Sequence, residues 1–131
     1  MRIYVVEDDV NQAMSTRLAL EKIASDIEVC YSACADDAMK LLLPDGGEAL
    51  PWEPDLIFLD INMPGISGVE MLRRLKDDER TTDIATVMFT ASLDPEEEKT
   101  CFELGSAGFV HKPDDWREYH KALEEVVMQH T

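Results

Sequence analysis

Asp55-Leu56-Ile57-Phe58-Leu59-Asp60-Ile61-Asn62-Met63-Pro64-Gly65 is the stretch on which the fold of this chain turns. Four apolar residues in succession, Leu56 to Leu59, predict a strand buried on both faces, since a half-exposed strand alternates apolar with polar side chains. The run stops at the carboxylate of Asp60, and Pro64-Gly65 then forbids continuation as strand or helix. An aspartate at the carboxyl end of a core strand stands where open α/β sheets bind their ligands. Taken alone, the stretch is equally compatible with a loop aspartate that merely ends a strand.

On the amino-terminal side, residues 43–54 carry three prolines, Gly46-Gly47 and several acids, which predicts a surface loop longer than the usual connection of about two to six residues. Trp52 within it is a candidate anchor for a partner, or a pin holding the loop to the body. Before that, Ile27 to Tyr31 reads as a strand, and Asp36-Asp37 opens a short helix through Ala38, Met39, Leu41 and Leu42. Met1 to Val6 reads as the first strand and runs into Glu7-Asp8-Asp9. A helix from Val10 to about Ile23 is expected to turn Ala13, Met14, Leu18 and Ile23 inward and Gln12, Arg17, Glu21 and Lys22 outward.

On the carboxyl-terminal side, Ser67-Gly68 leads into a helix with Val69, Met71, Leu72 and Leu75 inward. Ala85 to Thr90 is the next buried strand. Asp94-Pro95-Glu96-Glu97 starts a helix, with Asp94 as cap and Glu97 placed for a capping box, and it stops at Gly105. Gly108 to Lys112 reads as a last strand cut off by Pro113, and Asp115 caps a final helix with Trp116, Tyr119, Leu123, Val126 and Val127 on one face. Strand followed by helix, five times over, predicts a doubly wound (βα)5 α/β fold: a five-stranded parallel sheet, helices on both faces, all strand carboxyl ends on one edge.

The chain has 131 residues, the size of a single domain, and one domain spanning 1–131 is expected, either a stand-alone protein with no output domain or a receiver-sized piece of a longer chain. Twelve basic against 28 acidic residues give a net charge of -16, which repels nucleic acid and suits a divalent cation or a partner with a basic face. Cys30, Cys34 and Cys101 form no disulfide framework or zinc motif. No apolar run approaches the roughly 18 residues of a spanning helix, the first residues show no basic region followed by a hydrophobic segment, and a cytoplasmic protein is expected.

The expected topology gathers Glu7 and Asp8 after strand one, Asp60 after strand three, Thr90 after strand four and Lys112 after strand five. Three carboxylates crowded at one edge call for a cation, and an all-oxygen donor set without Cys or His selects a hard ion, Mg²⁺. With Mg²⁺ and Lys112 neutralising the local charge, the Asp60 carboxylate can attack a phosphorus centre that would otherwise repel it.

Val5-Val6-Glu7-Asp8-Asp9, Leu59-Asp60-Ile61-Asn62-Met63-Pro64-Gly65-Ile66-Ser67-Gly68, Phe89-Thr90-Ala91 and His111-Lys112-Pro113 stand in order at strand ends, and the chain resembles the response-regulator receiver domains of two-component signalling. The resemblance implies a flavodoxin-like fold and a phosphoprotein that catalyses only its own phosphorylation and dephosphorylation. It assigns phosphoacceptor to Asp60, which takes the group from a histidine kinase or histidine phosphotransfer protein docked near the first helix. Glu7, Asp8, Asp60 and the main-chain carbonyl of Asn62 would hold Mg²⁺. Lys112 would contact a phosphoryl oxygen, and Thr90 would close on the modified aspartate. The Lys112-Pro113 bond would be cis.

Phe109 falls at the switch position, where tyrosine is frequent, and Asn62 and Ser92 fall where side chains tune dephosphorylation. The implied output is a change on the face of the fourth helix, fifth strand and fifth helix, offered to a downstream protein or to a second copy in a homodimer. Asp9 matches no ligand position and is expected to be a solvated loop carboxylate. Two other readings remain: a phosphohydrolase of the haloacid-dehalogenase type, against which Asn62 stands where an acid is usual, and an unphosphorylated interaction module with the same fold.

Overall fold

The computed structural model describes residues 1–45, 53–91 and 94–130. Along them run β1 (Arg2–Val6), α1 (Val10–Ile23), β2 (Glu28–Ser32), α2 (Ala35–Leu42), β3 (Leu56–Asp60), α3 (Gly68–Asp77), β4 (Ala85–Thr90), α4 (Pro95–Leu104), β5 (Gly108–His111) and α5 (Trp116–Gln129). The strands pair in parallel in the order β2-β1-β3-β4-β5. The expected doubly wound, flavodoxin-like architecture is therefore present, and its strand order reverses between β1 and β3. A crevice opens over the carboxyl ends at that reversal, because the connections leave the two strands in opposite directions.

Strand alternation divides the core in two. Ile3 and Val5, Leu56 and Phe58, and Val87 and Phe89 point to one face, where Ala19 and Leu20 of α1 and Tyr119, Leu123, Val126 and Val127 of α5 cover them. Tyr4 and Val6, Ile57 and Leu59, and Met88 point to the other, under Ala38 and Leu42 of α2, Met71, Leu72 and Leu75 of α3, and Cys101 of α4. All of β3 is buried, as its uninterrupted apolar run predicts. Two helix starts are capped by the expected side chains, Asp94 accepting from the Glu96 amide and Asp115 from those of Arg117 and Glu118, and Ser67 caps α3 by accepting from the Glu70 amide.

Two helix faces differ from expectation. In α1 the buried residues are Ala13, Thr16, Ala19 and Leu20, while Val10, Met14 and Leu18 are exposed. Small alanines let α1 approach closely, and Thr16 is satisfied in the interior by pairing its hydroxyl with that of Tyr119 on α5. A polar residue thus takes an inward position that an apolar count cannot assign. In α5, Trp116 is exposed instead of sharing the buried face, its ring lying 5.9 Å from that of Tyr119. Trp52 and most of the 43–54 loop lie outside the described residues.

Candidate functional site

Strand pairing continues one residue beyond β1 and β5, for the Glu7 amide donates to the Ser32 carbonyl at 3.1 Å and the Lys112 amide to that of Thr90 at 2.7 Å. The side-chain alternation therefore continues too. Glu7 follows Val5, Asp60 follows Phe58 and Lys112 follows Val110, so all three emerge on the α1/α5 side of the sheet edge. Thr90 follows Met88, and Phe109 precedes Val110, which puts both on the side of α2, α3 and α4. Charge is thus gathered on one side of the sheet edge, while Thr90 and a half-buried Phe109 share the other.

The Lys112 ammonium reaches across β5, β3 and β1. It donates to Glu7 Oε1 at 2.6 Å, to Asp60 Oδ2 at 3.2 Å and to Gln12 Oε1, and it lies 4.8 Å from the centre of the Phe89 ring. Glu7, Asp60 and Lys112 are all buried, whereas Asp8 is exposed. One carboxylate oxygen from each of Glu7, Asp8 and Asp60 falls in a group whose members all lie within 4.8 Å of one another. Burial, with the Asp60 carboxylate alongside, pushes Glu7 up to about 8 despite the partly offsetting Lys112. Its second oxygen, Oε2, is buried and has no hydrogen-bond partner among the described residues. An orphaned carboxylate oxygen in an all-oxygen cluster fits a hard dication.

The loop after β3 is held tightly. The Asn62 amide donates to Asp60 Oδ1 at 3.2 Å, and Gly65 sits at φ +80, the left-handed turn a glycine accepts without strain. Gly68 opens α3 with its amide donating to the Ile61 carbonyl at 2.9 Å, and a Cβ there would lie 2.0 Å from the Asp60 main-chain oxygen. The helix start thus abuts the backbone that carries Asp60.

Asp9, exposed as expected, caps α1 by accepting from the Asn11 and Gln12 amides. The Lys112–Pro113 bond is trans, against the cis expectation, as is every peptide bond among the described residues. Trans is the intrinsically preferred isomer, and the ammonium reaches both carboxylates from it. Ser92 lies outside the described residues. Gln12 was not singled out by the sequence: on an exposed helix face it reads as a solvated polar residue, and its link to Lys112 depends on a strand far along the chain. Beside Lys112 opens a cleft of about 390 Å³, with Asn11, Gln12, Ser15, Trp116 and Tyr119 in its walls.

Residues 3–124 match the family model described as response regulator receiver domain. Among curated proteins, the chain is 29% identical over 117 residues to the DNA-binding dual master transcriptional regulator RpaA of Synechocystis sp., covering 89% of this chain and 45% of that protein. It is 32% identical over 111 residues to the transcriptional regulatory protein AfsQ1 of Streptomyces coelicolor, covering 85% and 44%. The chain thus spans less than half the length of these relatives. Among solved structures, a two-component response regulator from Legionella pneumophila superposes with a TM-score of 0.80 at 29% identity over 98% of each chain. The phosphorylated cyanobacterial phytochrome response regulator RcpA superposes at 0.91 with 24% identity, over 98% of this chain and 92% of that one, a likeness of fold. Among the described residues no helix is long and apolar enough to cross a membrane.

Proposed function

The chain belongs to the response regulator receiver family, and from that membership we propose that Asp60 is its phosphoacceptor, charged by a histidine kinase or histidine phosphotransfer protein. The observation that carries the reading is the Lys112 ammonium, donating at once to Glu7 and Asp60 inside a cluster of three carboxylates. A nucleophilic carboxylate must be approached by a phosphoryl group of like charge, so the site needs fixed positive charge beside it. Lys112 supplies one such charge. Glu7, Asp8, Asp60 and the Asn62 carbonyl are the residues that would hold Mg²⁺, and the bound ion would neutralise further charge on the incoming phosphoryl oxygens.

In the transfer, an Asp60 carboxylate oxygen forms a bond to phosphorus as the donor's phosphorus–nitrogen bond breaks, and the imidazole leaves with the electron pair. Lys112 follows the charge to a phosphoryl oxygen. The cleft beside Lys112 leaves an open approach for the donor, and the exposed Val10, Met14 and Leu18 give a docking partner apolar surface on the helix that forms one wall of that cleft.

The added charge of roughly -1.5 to -2 on Asp60 draws the Thr90 hydroxyl towards it. Thr90 and Phe109 lie on the same side of the sheet, so displacement of one opens room for the ring of the other. The face of α4, β5 and α5 then shifts its population of states, to be read by a downstream protein or a second copy. Asn62 and Ser92 would set how readily water reaches the phosphoaspartate. Incubation of wild type and Asp60→Asn with a labelled phosphohistidine donor and Mg²⁺ tests the reading. Label on the wild type alone supports it, and equal label on both overturns it.

A further inference from the structure

Gln12 stands outside the carboxylate cluster yet reaches into it, because its Oε1 accepts a hydrogen bond from the Lys112 ammonium. Its backbone is fixed at both ends. The Gln12 amide donates to the capping carboxylate of Asp9 at 3.1 Å, and its carbonyl accepts from the Thr16 hydroxyl at 2.8 Å. Thr16 is itself joined to the Tyr119 hydroxyl of α5. The side chain is therefore aimed at Lys112 by a clamped turn of helix and is not a free surface amide.

Of the three acceptors around Lys112 Nζ, Asp60 Oδ2 at 3.2 Å is the most distant. Glu7 and Gln12 are thus the ammonium's nearer partners, and the bond to the acceptor carboxylate is its longest. Glu7 belongs to the metal cluster. Gln12 does not, and a neutral amide oxygen is a weaker partner for an ammonium than a charged phosphoryl oxygen.

We infer that Gln12 is a positioning residue, a latch that keeps Lys112 in its resting place until a phosphoryl group on Asp60 outbids it. The inference rests on the reading of Asp60 as phosphoacceptor and of Lys112 as the partner of a phosphoryl oxygen. It deepens that reading by naming what the phosphoryl group displaces. Removing the latch leaves Lys112 free to meet the phosphoryl oxygen without first losing a bond. Giving the latch a negative charge holds Lys112 harder.

The test uses the full chain as wild type, Gln12→Leu and Gln12→Glu at saturating Mg²⁺, titrated with beryllofluoride and, separately, with acetyl phosphate. Neither small molecule docks on α1, so partner recognition does not enter. Gln12 is exposed, so both variants are expected to fold, and urea unfolding checks this. The expected result is a shift in opposite directions: beryllofluoride affinity rises roughly three- to tenfold in Gln12→Leu and falls by a similar factor in Gln12→Glu. Half-saturation by acetyl phosphate should follow the same order. Equal affinities across the three proteins, or shifts of the same sign in both variants, overturn the latch while leaving Asp60 as acceptor intact. A wild type that binds no beryllofluoride overturns the reading of Asp60 and the latch with it.

Discussion

The Lys112 ammonium lies 2.6 Å from Glu7 Oε1, a buried hydrogen bond joining the ends of β5 and β1 across β3. Neither group can leave without stranding the other in a poorly solvated place.

Replacement of Lys112 by Met is therefore expected to destabilise the Mg²⁺-free protein by about 1–3 kcal/mol, because the two carboxylates lose their common donor. Urea unfolding with and without Mg²⁺ measures it. A smaller difference in Mg²⁺ is expected, since a cation then compensates the cluster.

Glu7 gives the protein a pH dependence of defined sign. Its folded value of about 8 lies above the ordinary 4.5, so the folded chain keeps a proton that the unfolded chain has already lost between those values. The stabilisation is complete below about 4.5 and disappears as pH rises through about 8. In Mg²⁺-free buffer the wild type should lose stability relative to Glu7→Gln as pH rises through that window. Denaturant midpoints of the two proteins from pH 5 to pH 8, compared at each pH, provide the check.

Gly68 permits α3 to start against the Asp60 backbone. The added methyl of Gly68→Ala meets the Asp60 carbonyl oxygen, which is main chain and has no rotamer to yield. We expect a loss of about 1–3 kcal/mol in stability. Labelling of Asp60 should slow on the order of tenfold or more, since the acceptor is carried by the displaced backbone.

The buried Thr16–Tyr119 pair ties α1 to α5. Thr16 uses its own proton on the Gln12 carbonyl, so the Tyr119 hydroxyl is the donor within the pair. Tyr119→Phe should cost about 1 kcal/mol. A double-mutant cycle with Thr16→Val should return a coupling of about 0.5–1.5 kcal/mol.

Much of this molecule is legible in its sequence, for reasons that can be given residue by residue. Leu56 to Leu59 announce a strand covered on both faces, and in a parallel sheet such a strand fixes where Asp60 must emerge. Asp94-Pro95 and Asp115 mark helix starts through local chemistry that does not depend on the rest of the chain. The inward face of α1 was not legible, because Thr16 is made compatible with the interior only by a hydroxyl on α5. Nor was Gln12, whose role depends on Lys112 arriving from the far end of the chain. Local pattern encodes elements and strand ends, whereas contacts between distant polar groups become visible only when the sheet edge is assembled.

The central claim is that Asp60 is the carboxylate that accepts phosphorus, and the most direct measurement locates the label. Wild-type protein is phosphorylated by a phosphohistidine donor with Mg²⁺, the acyl phosphate is trapped by borohydride reduction, and the modified residue is identified by peptide mass spectrometry. The predicted result is modification at Asp60, with none in Asp60→Asn. Modification at Asp8 or Asp9 in the wild type, or undiminished labelling of Asp60→Asn, would contradict it.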